Sequence, residues 1–181
     1  MKFGKLLAAC VLAAAVSAAG AGAAFAEDMP AAFQAAIIVK IFNQEKGLSA
    51  KETVKLALVC ADASACSALS DEFAKLRAAG SAKNLEWYKS SADKFENEGA
   101  DAVYLALPGE EAVSLAVKAS QRAKTLSITG RNAEEAAAKG VSVGLDIYGG
   151  KPRILVNLNS IVKEGKEFTL QFLTLVKVVG K

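Results

Sequence analysis

The chain contains no histidine. That removes the commonest general base, the commonest zinc ligand and every Ser–His or Cys–His nucleophile pair. A metal site would then need clustered carboxylates, and the only dense acidic pairs are Glu96 with Glu98 and Glu134 with Glu135. Side chains one or two positions apart on a helix do not converge, so these pairs read as solvated surface and no metal site is expected. Phosphate-cradling loops are missing as well. The first strand-to-helix turn reads Ala61-Asp62-Ala63-Ser64-Ala65, with neither G-x-G-x-x-G nor G-K-[ST], so no nucleotide cofactor is expected. No residue combination names a reaction, and the expectation is a protein that is not an enzyme.

Prolines number three, and each stands where an element should begin or end. Beyond residue 26 there is no apolar run near the 18 residues needed to span a bilayer. Charge of one sign is also lacking: setting aside Lys2 and Lys5, 20 basic residues face 19 acidic ones. Such a balance gives no reason to propose nucleic acid or an anionic membrane surface as partner.

The N-terminus is built for export. Lys2 and Lys5 precede an almost unbroken small or apolar stretch, and Ala24-Phe25-Ala26 matches an A-x-A cleavage signal. The expectation is a signal peptide over 1–26, a periplasmic destination and a single domain over 27–181. A lipobox, Leu7-Ala8-Ala9-Cys10, offers lipid anchoring at Cys10 instead, but the apolar run before it is short for an h-region. Two further cysteines, Cys60 and Cys66, favour a disulfide in an oxidising compartment. Two buried thiols are the alternative, because free cysteine packs as a small hydrophobe.

Periodicity supplies the elements. Phe33, Ile37, Ile38, Ile41 and Phe42 recur at helical spacing over 31–45, after Pro30 and before Gly47. A short apolar strand lies within 51–60, and Ser64 is placed to cap a helix carrying Leu69, Phe73 and Leu76, stopped by Gly80. Strands are expected over 84–89, 101–107 and 125–129. The first of these carries Trp87 and Tyr88, one of which should face away from the core. Tyr104 reads as core. Residues 92–98 read as a short helix or loop. A helix over 110–123 has Glu110 and Glu111 in its first turn, and Asn132 should cap another over 133–139. Val141, Val143, Leu145 and Ile147 alternate with small or polar residues. Gly149-Gly150-Lys151-Pro152 then turns the chain, and Ile154, Val156 and Leu158 alternate on the way back. The class is therefore α/β: three layers, a mainly parallel sheet flanked by helices, and a C-terminal antiparallel β-hairpin. Asp62 and Ser64 at one strand's carboxyl end, and Gly130 and Arg131 at a neighbour's, are the candidate ligand or partner residues. Helix capping and turn formation are the competing explanation for all four.

The block GVSVGLDIYGGKPRILVNLNSIVKEG, preceded by Leu126-Ser127-Ile128 and followed by a leucine-rich end, resembles the YfiR-like family of exported bacterial proteins. The likeness is densest over 125–178 and thinner through 35–42, 54–60 and 101–107. It implies a regulatory module that binds the periplasmic region of a membrane-bound signalling protein, such as a diguanylate cyclase. It also implies a closing helix over 168–179, where β-branched residues by themselves favour a strand. A homodimer and an unidentified small ligand are left open. Two features depart from the family. Gln44-Glu45-Lys46-Gly47 replaces its tryptophan-proline, and the cysteine pair of the terminal hairpin is absent, so redox control through that bridge is not carried over. A small solute-binding protein is the second reading, and an envelope-assembly module the third.

Overall fold

The computed structural model describes residues 29–61 and 63–180; residues 1–26, where a signal peptide is expected, with Cys10, and Asp62, lie outside the described residues. Seven strands form one sheet in the order β2-β1-β3-β4-β5-β6-β7. They are β1 (Val54–Cys60), β2 (Leu85–Ser90), β3 (Ala102–Ala106), β4 (Leu126–Thr129), β5 (Val143–Tyr148), β6 (Lys151–Asn157) and β7 (Lys177–Val179). The first five pair in parallel, β5 and β6 pair antiparallel, and β7 returns parallel to β6. The α/β reading holds: β5 and β6 form the antiparallel hairpin, and β7 adds the edge strand beyond it.

Two helices cover one face, α1 (Ala31–Gln44) and α3 (Ala63–Ala78). Ile38 and Ile41 from α1 and Leu69 and Phe73 from α3 meet Leu56, Leu58, Ile128 and Val143 of the sheet in the larger core. The opposite face is covered by α4 (Glu110–Ala123), α5 (Ala133–Ala138) and a 3₁₀ turn at Phe95–Asn97. There Phe95, Ala116 and Val117 pack on Ala57, Val59, Val103 and Leu105. Strand residues of alternate parity therefore feed two cores, which is why β1 and β3 read as continuous apolar runs.

Several local expectations are corrected. The first helix stops at Gln44, ahead of Gly47, because Glu45 turns extended and caps a second short helix, α2 (Lys46–Ser49). Its buried carboxylate accepts from the Leu48 amide at 2.6 Å and the Glu167 amide at 2.9 Å. Backbone bonds from Lys46 to Glu167 and from Thr169 to Gln44 complete the stitch. The tetrapeptide that departs from the family thus ties the first helix to the C-terminal segment. Glu45→Ala is expected to lower unfolding free energy by roughly 1–1.5 kcal/mol, as one cap and one further amide lose their acceptor; unchanged urea melts would contradict this.

The segment expected as a closing helix divides. A five-residue helix, α7 (Leu170–Thr174), is capped by the Thr169 hydroxyl, and the β-branched residues after it form β7. Pro152 belongs to β6 rather than to the turn; β7 begins opposite Leu155, so the ladder outside Pro152 is unpaired. Gly149 and Gly150 alone make the turn, with φ of +58° and +74°, the positive pair a two-residue hairpin requires. Asn132 occupies the N-cap position of α5, but in a left-handed conformation and without a side-chain cap. Because α3 begins at Ala63, Ser64 lies in its first turn. Neither residue of the Trp87-Tyr88 pair is an exposed anchor. Trp87 packs on Phe73 beneath Arg77 and donates to Ser70 Oγ at 2.7 Å, while Tyr88 packs against the second core.

Candidate functional site

Chain direction creates a crevice. From β1 the chain crosses outward to β2, then returns to β3 on the other side of β1. The helix after β1 lies on one face and the helix after β3 on the other, so the connections diverge at the carboxyl ends of these strands. Open α/β sheets place ligands at such a switch point. The Cys60–Cys66 disulfide, Cα atoms 5.9 Å apart, closes the turn from β1 into α3 at this end.

A hollow of about 150 Å³ opens there, walled by Leu69, Ala106 and Tyr104, with Gln34, Gly130 and Arg131 completing the lining. Gln34 stands on the buried stripe of α1, one turn before Ile38. Its amide donates to the Met29 carbonyl at 2.5 Å and accepts from the Tyr104 hydroxyl at 2.5 Å. Gly130 is required by this arrangement, because a β-carbon at that position would lie 2.1 Å from Gln34 Oε1. Thr129 then fixes the next residue: its hydroxyl accepts from the Arg131 amide at 3.1 Å and donates to the Leu105 carbonyl at 2.7 Å. Arg131 is exposed and forms no ion pair among the described residues.

On its other side Arg131 borders a smaller hollow of about 60 Å³ with Glu110, Glu135 and Lys139. Lys139 pairs with both carboxylates, at 2.6 and 2.7 Å, so one ammonium is shared by two carboxylates there. Of the four expected site residues, Gly130 and Arg131 come together in the larger hollow. Ser64 does not line it, and Asp62 lies outside the described residues. Sequence reasoning missed Gln34, whose signal was a polar residue on the apolar face of a helix. Tyr104 was correctly placed in the core, but its hydroxyl reaches the hollow.

An apolar groove of about 420 Å³ runs between α1, β6 and α7, lined by Ile37, Ile41, Ile154, Phe172 and Leu175. Leu170 and Leu175 are each 82% exposed, and Phe33, one turn before Ile37, is 56% exposed. The apolar stripe of α1 is thus wider than the sheet beneath it.

A third polar cluster sits at the opposite, amino-end rim of the sheet. Glu164, at the C-cap of α6 (Leu158–Lys163), is 0% exposed. Its carboxyl accepts from the hydroxyls of Ser120 at 2.8 Å, Ser127 at 2.6 Å and Ser142 at 2.5 Å, and from the Ser127 amide at 3.1 Å. Burial raises this carboxyl above its ordinary range, with the four hydrogen bonds opposing. A serine–glutamate contact invites a catalytic reading, yet Ser127 and Glu164 are both closed to substrate. The acidic pairs singled out from the sequence are surface partners: Glu96 with Arg122, and Glu134 with Lys177. Among the described residues no group of three potential ligands could hold a metal ion, and no helix is long and apolar enough to cross a membrane.

No protein-family model matches the chain, and no curated protein does. Solved structures resemble it in fold. One is a conserved domain protein from Vibrio cholerae, with TM-score 0.57, 11% identity, and coverage of 80% of this chain and 59% of that one. Another is the ABC domain in complex with L-Trp from Streptococcus pneumoniae, with TM-score 0.55, 14% identity, and coverage of 83% and 60%. The chain spans about three-fifths of the length of each. At these identities the likeness establishes the α/β architecture.

Proposed function

We propose that this protein is an exported binding module that acts without chemistry of its own, regulating a membrane-bound signalling protein through its periplasmic region. The apolar groove between α1, β6 and α7 carries this reading, because Leu175, 82% exposed, lines it beside Ile37, Ile154 and Phe172 and marks a surface that gains by being covered. The resemblance of residues 125–178 to the YfiR-like family supports the choice of partner. Regulation of this kind is a population shift: the module binds one state of the partner and so withdraws it from the other.

The test is cellular and biochemical together. Deletion is expected to change the cyclic-di-GMP level, and the intact protein to restore it. Leu175→Glu, which places a charge in the groove without touching the core, should fail to restore it and should weaken partner recovery at least about tenfold. An unchanged nucleotide level on deletion, with full activity of the leucine variant, would overturn the reading.

A second reading, capture of a small solute, is favoured by the hollow at Gln34, Gly130 and Arg131. One solved structure of similar fold was determined with L-Trp. A hollow of about 150 Å³ is too small to enclose an indole together with its amino-acid backbone, so the solute would be smaller.

A further inference from the structure

We infer that the hollow at the carboxyl ends of β1, β3 and β4 binds a small aliphatic monocarboxylate, with its carboxylate on Arg131 and its hydrocarbon body against Leu69, Ala68 and Ala106. The inference rests on the solute-binding reading and names the ligand class.

Size sets the first limit. A cavity near 150 Å³ accommodates a molecule about as large as benzene, or roughly six non-hydrogen atoms. Charge sets the second. Among the described residues Arg131 is the only formally charged one in the lining, and its forked guanidinium matches a carboxylate with two parallel hydrogen bonds. The turn that carries it is pinned by the Thr129 hydroxyl, which fixes the backbone from which the Arg131 side chain reaches the hollow.

Polarity sets the third limit. Gln34 donates one amide hydrogen to the Met29 carbonyl and keeps a second N–H, a further donor suited to an anion. Among the described residues the lining holds no carboxylate that could receive an ammonium group. An amino acid would therefore desolvate its amine without a counter-charge, and a simple monocarboxylate is preferred. The apolar wall of Leu69, Ala68 and Ala106 in turn favours a short hydrocarbon over inorganic phosphate.

The experiment is a titration of the isotope-labelled full chain with butanoate, butanamide, butylamine and inorganic phosphate, followed by amide NMR shifts of Gly130 and Arg131. Butanoate should saturate. The other three should bind at least about tenfold more weakly, as should butanoate to Arg131→Gln. Ala68→Leu, at an exposed helix position, should fill the hollow and abolish binding while leaving the thermal melt unchanged. Equal binding of butanamide, or full affinity in Arg131→Gln, would overturn the inference, and so would the absence of saturable shifts. The partner-binding reading is scored by the nucleotide assay and stands or falls apart from these results.

Discussion

Replacing Glu164 by alanine is expected to lower the unfolding free energy by about 3–4 kcal/mol. The substitution leaves the Ser127 and Ser142 hydroxyls and the Ser127 amide without their acceptor in a site closed to water, while Ser120 keeps the Val117 carbonyl. It also opens a void where the carboxyl stood. Glu164→Gln keeps the volume and one carbonyl acceptor, and should cost far less, on the order of 1 kcal/mol. Chemical denaturation of the two variants separates the cases; equal losses would mean that the serine cage contributes nothing.

The same group predicts a pH dependence. Burial raises its folded-state pKa above the ordinary 4.5, so the native state holds the proton more tightly than the unfolded chain does. Stability attached to Glu164 is therefore present in full below about pH 4.5 and is lost as pH rises through the folded-state value. The Ser120 hydroxyl has one proton and two acceptors, the Val117 carbonyl and Glu164, both at 2.8 Å. Stability measured from pH 4 to 8 should fall more steeply in the natural protein than in Glu164→Gln, and parallel curves would refute this.

The second large effect belongs to the disulfide. Its loop spans a sequence separation of six, and cross-linking so short a loop contributes roughly 2 kcal/mol through the unfolded state. For a chain of this size that corresponds to about 4–8 °C in Tm. Cys60→Ala with Cys66→Ala should show the whole loss, and reductant should then have no further effect on the variant. Alkylation of both cysteines in the unreduced protein would rule the bridge out. Leu69 stands three residues after Cys66, so breaking the bridge also loosens one wall of the crevice.

What the sequence made legible divides along physical lines. Period-two alternation over 141–158 marked the hairpin, because neighbouring residues alone determine which face each side chain takes. Strand and helix alternation from residue 54 onward implied the parallel sheet for the same reason. Glu45 resisted, since its capping role depends on the Glu167 amide, 122 positions away. Glu164 resisted for a like reason: its three serines converge only through strand register, with nothing local to mark them. The tail from 168 onward held competing signals, and both were right over different residues. At the crevice, Gly130 and Arg131 could be read from their place after a strand. Gln34 required noticing a polar residue on an apolar helical stripe.

The two ends of the described chain leave from opposite poles of the sheet. Met29 sits at the crevice, where its carbonyl receives the Gln34 amide, whereas β7 runs with β6 toward the Glu164 rim and ends at Gly180. A fusion or anchor attached at the C-terminus would therefore hold the crevice away from its support, facing outward. The same attachment made directly ahead of Met29 would stand beside the crevice and crowd it. For any assay on a surface or bead, the orientation of the molecule is set by which end is tethered.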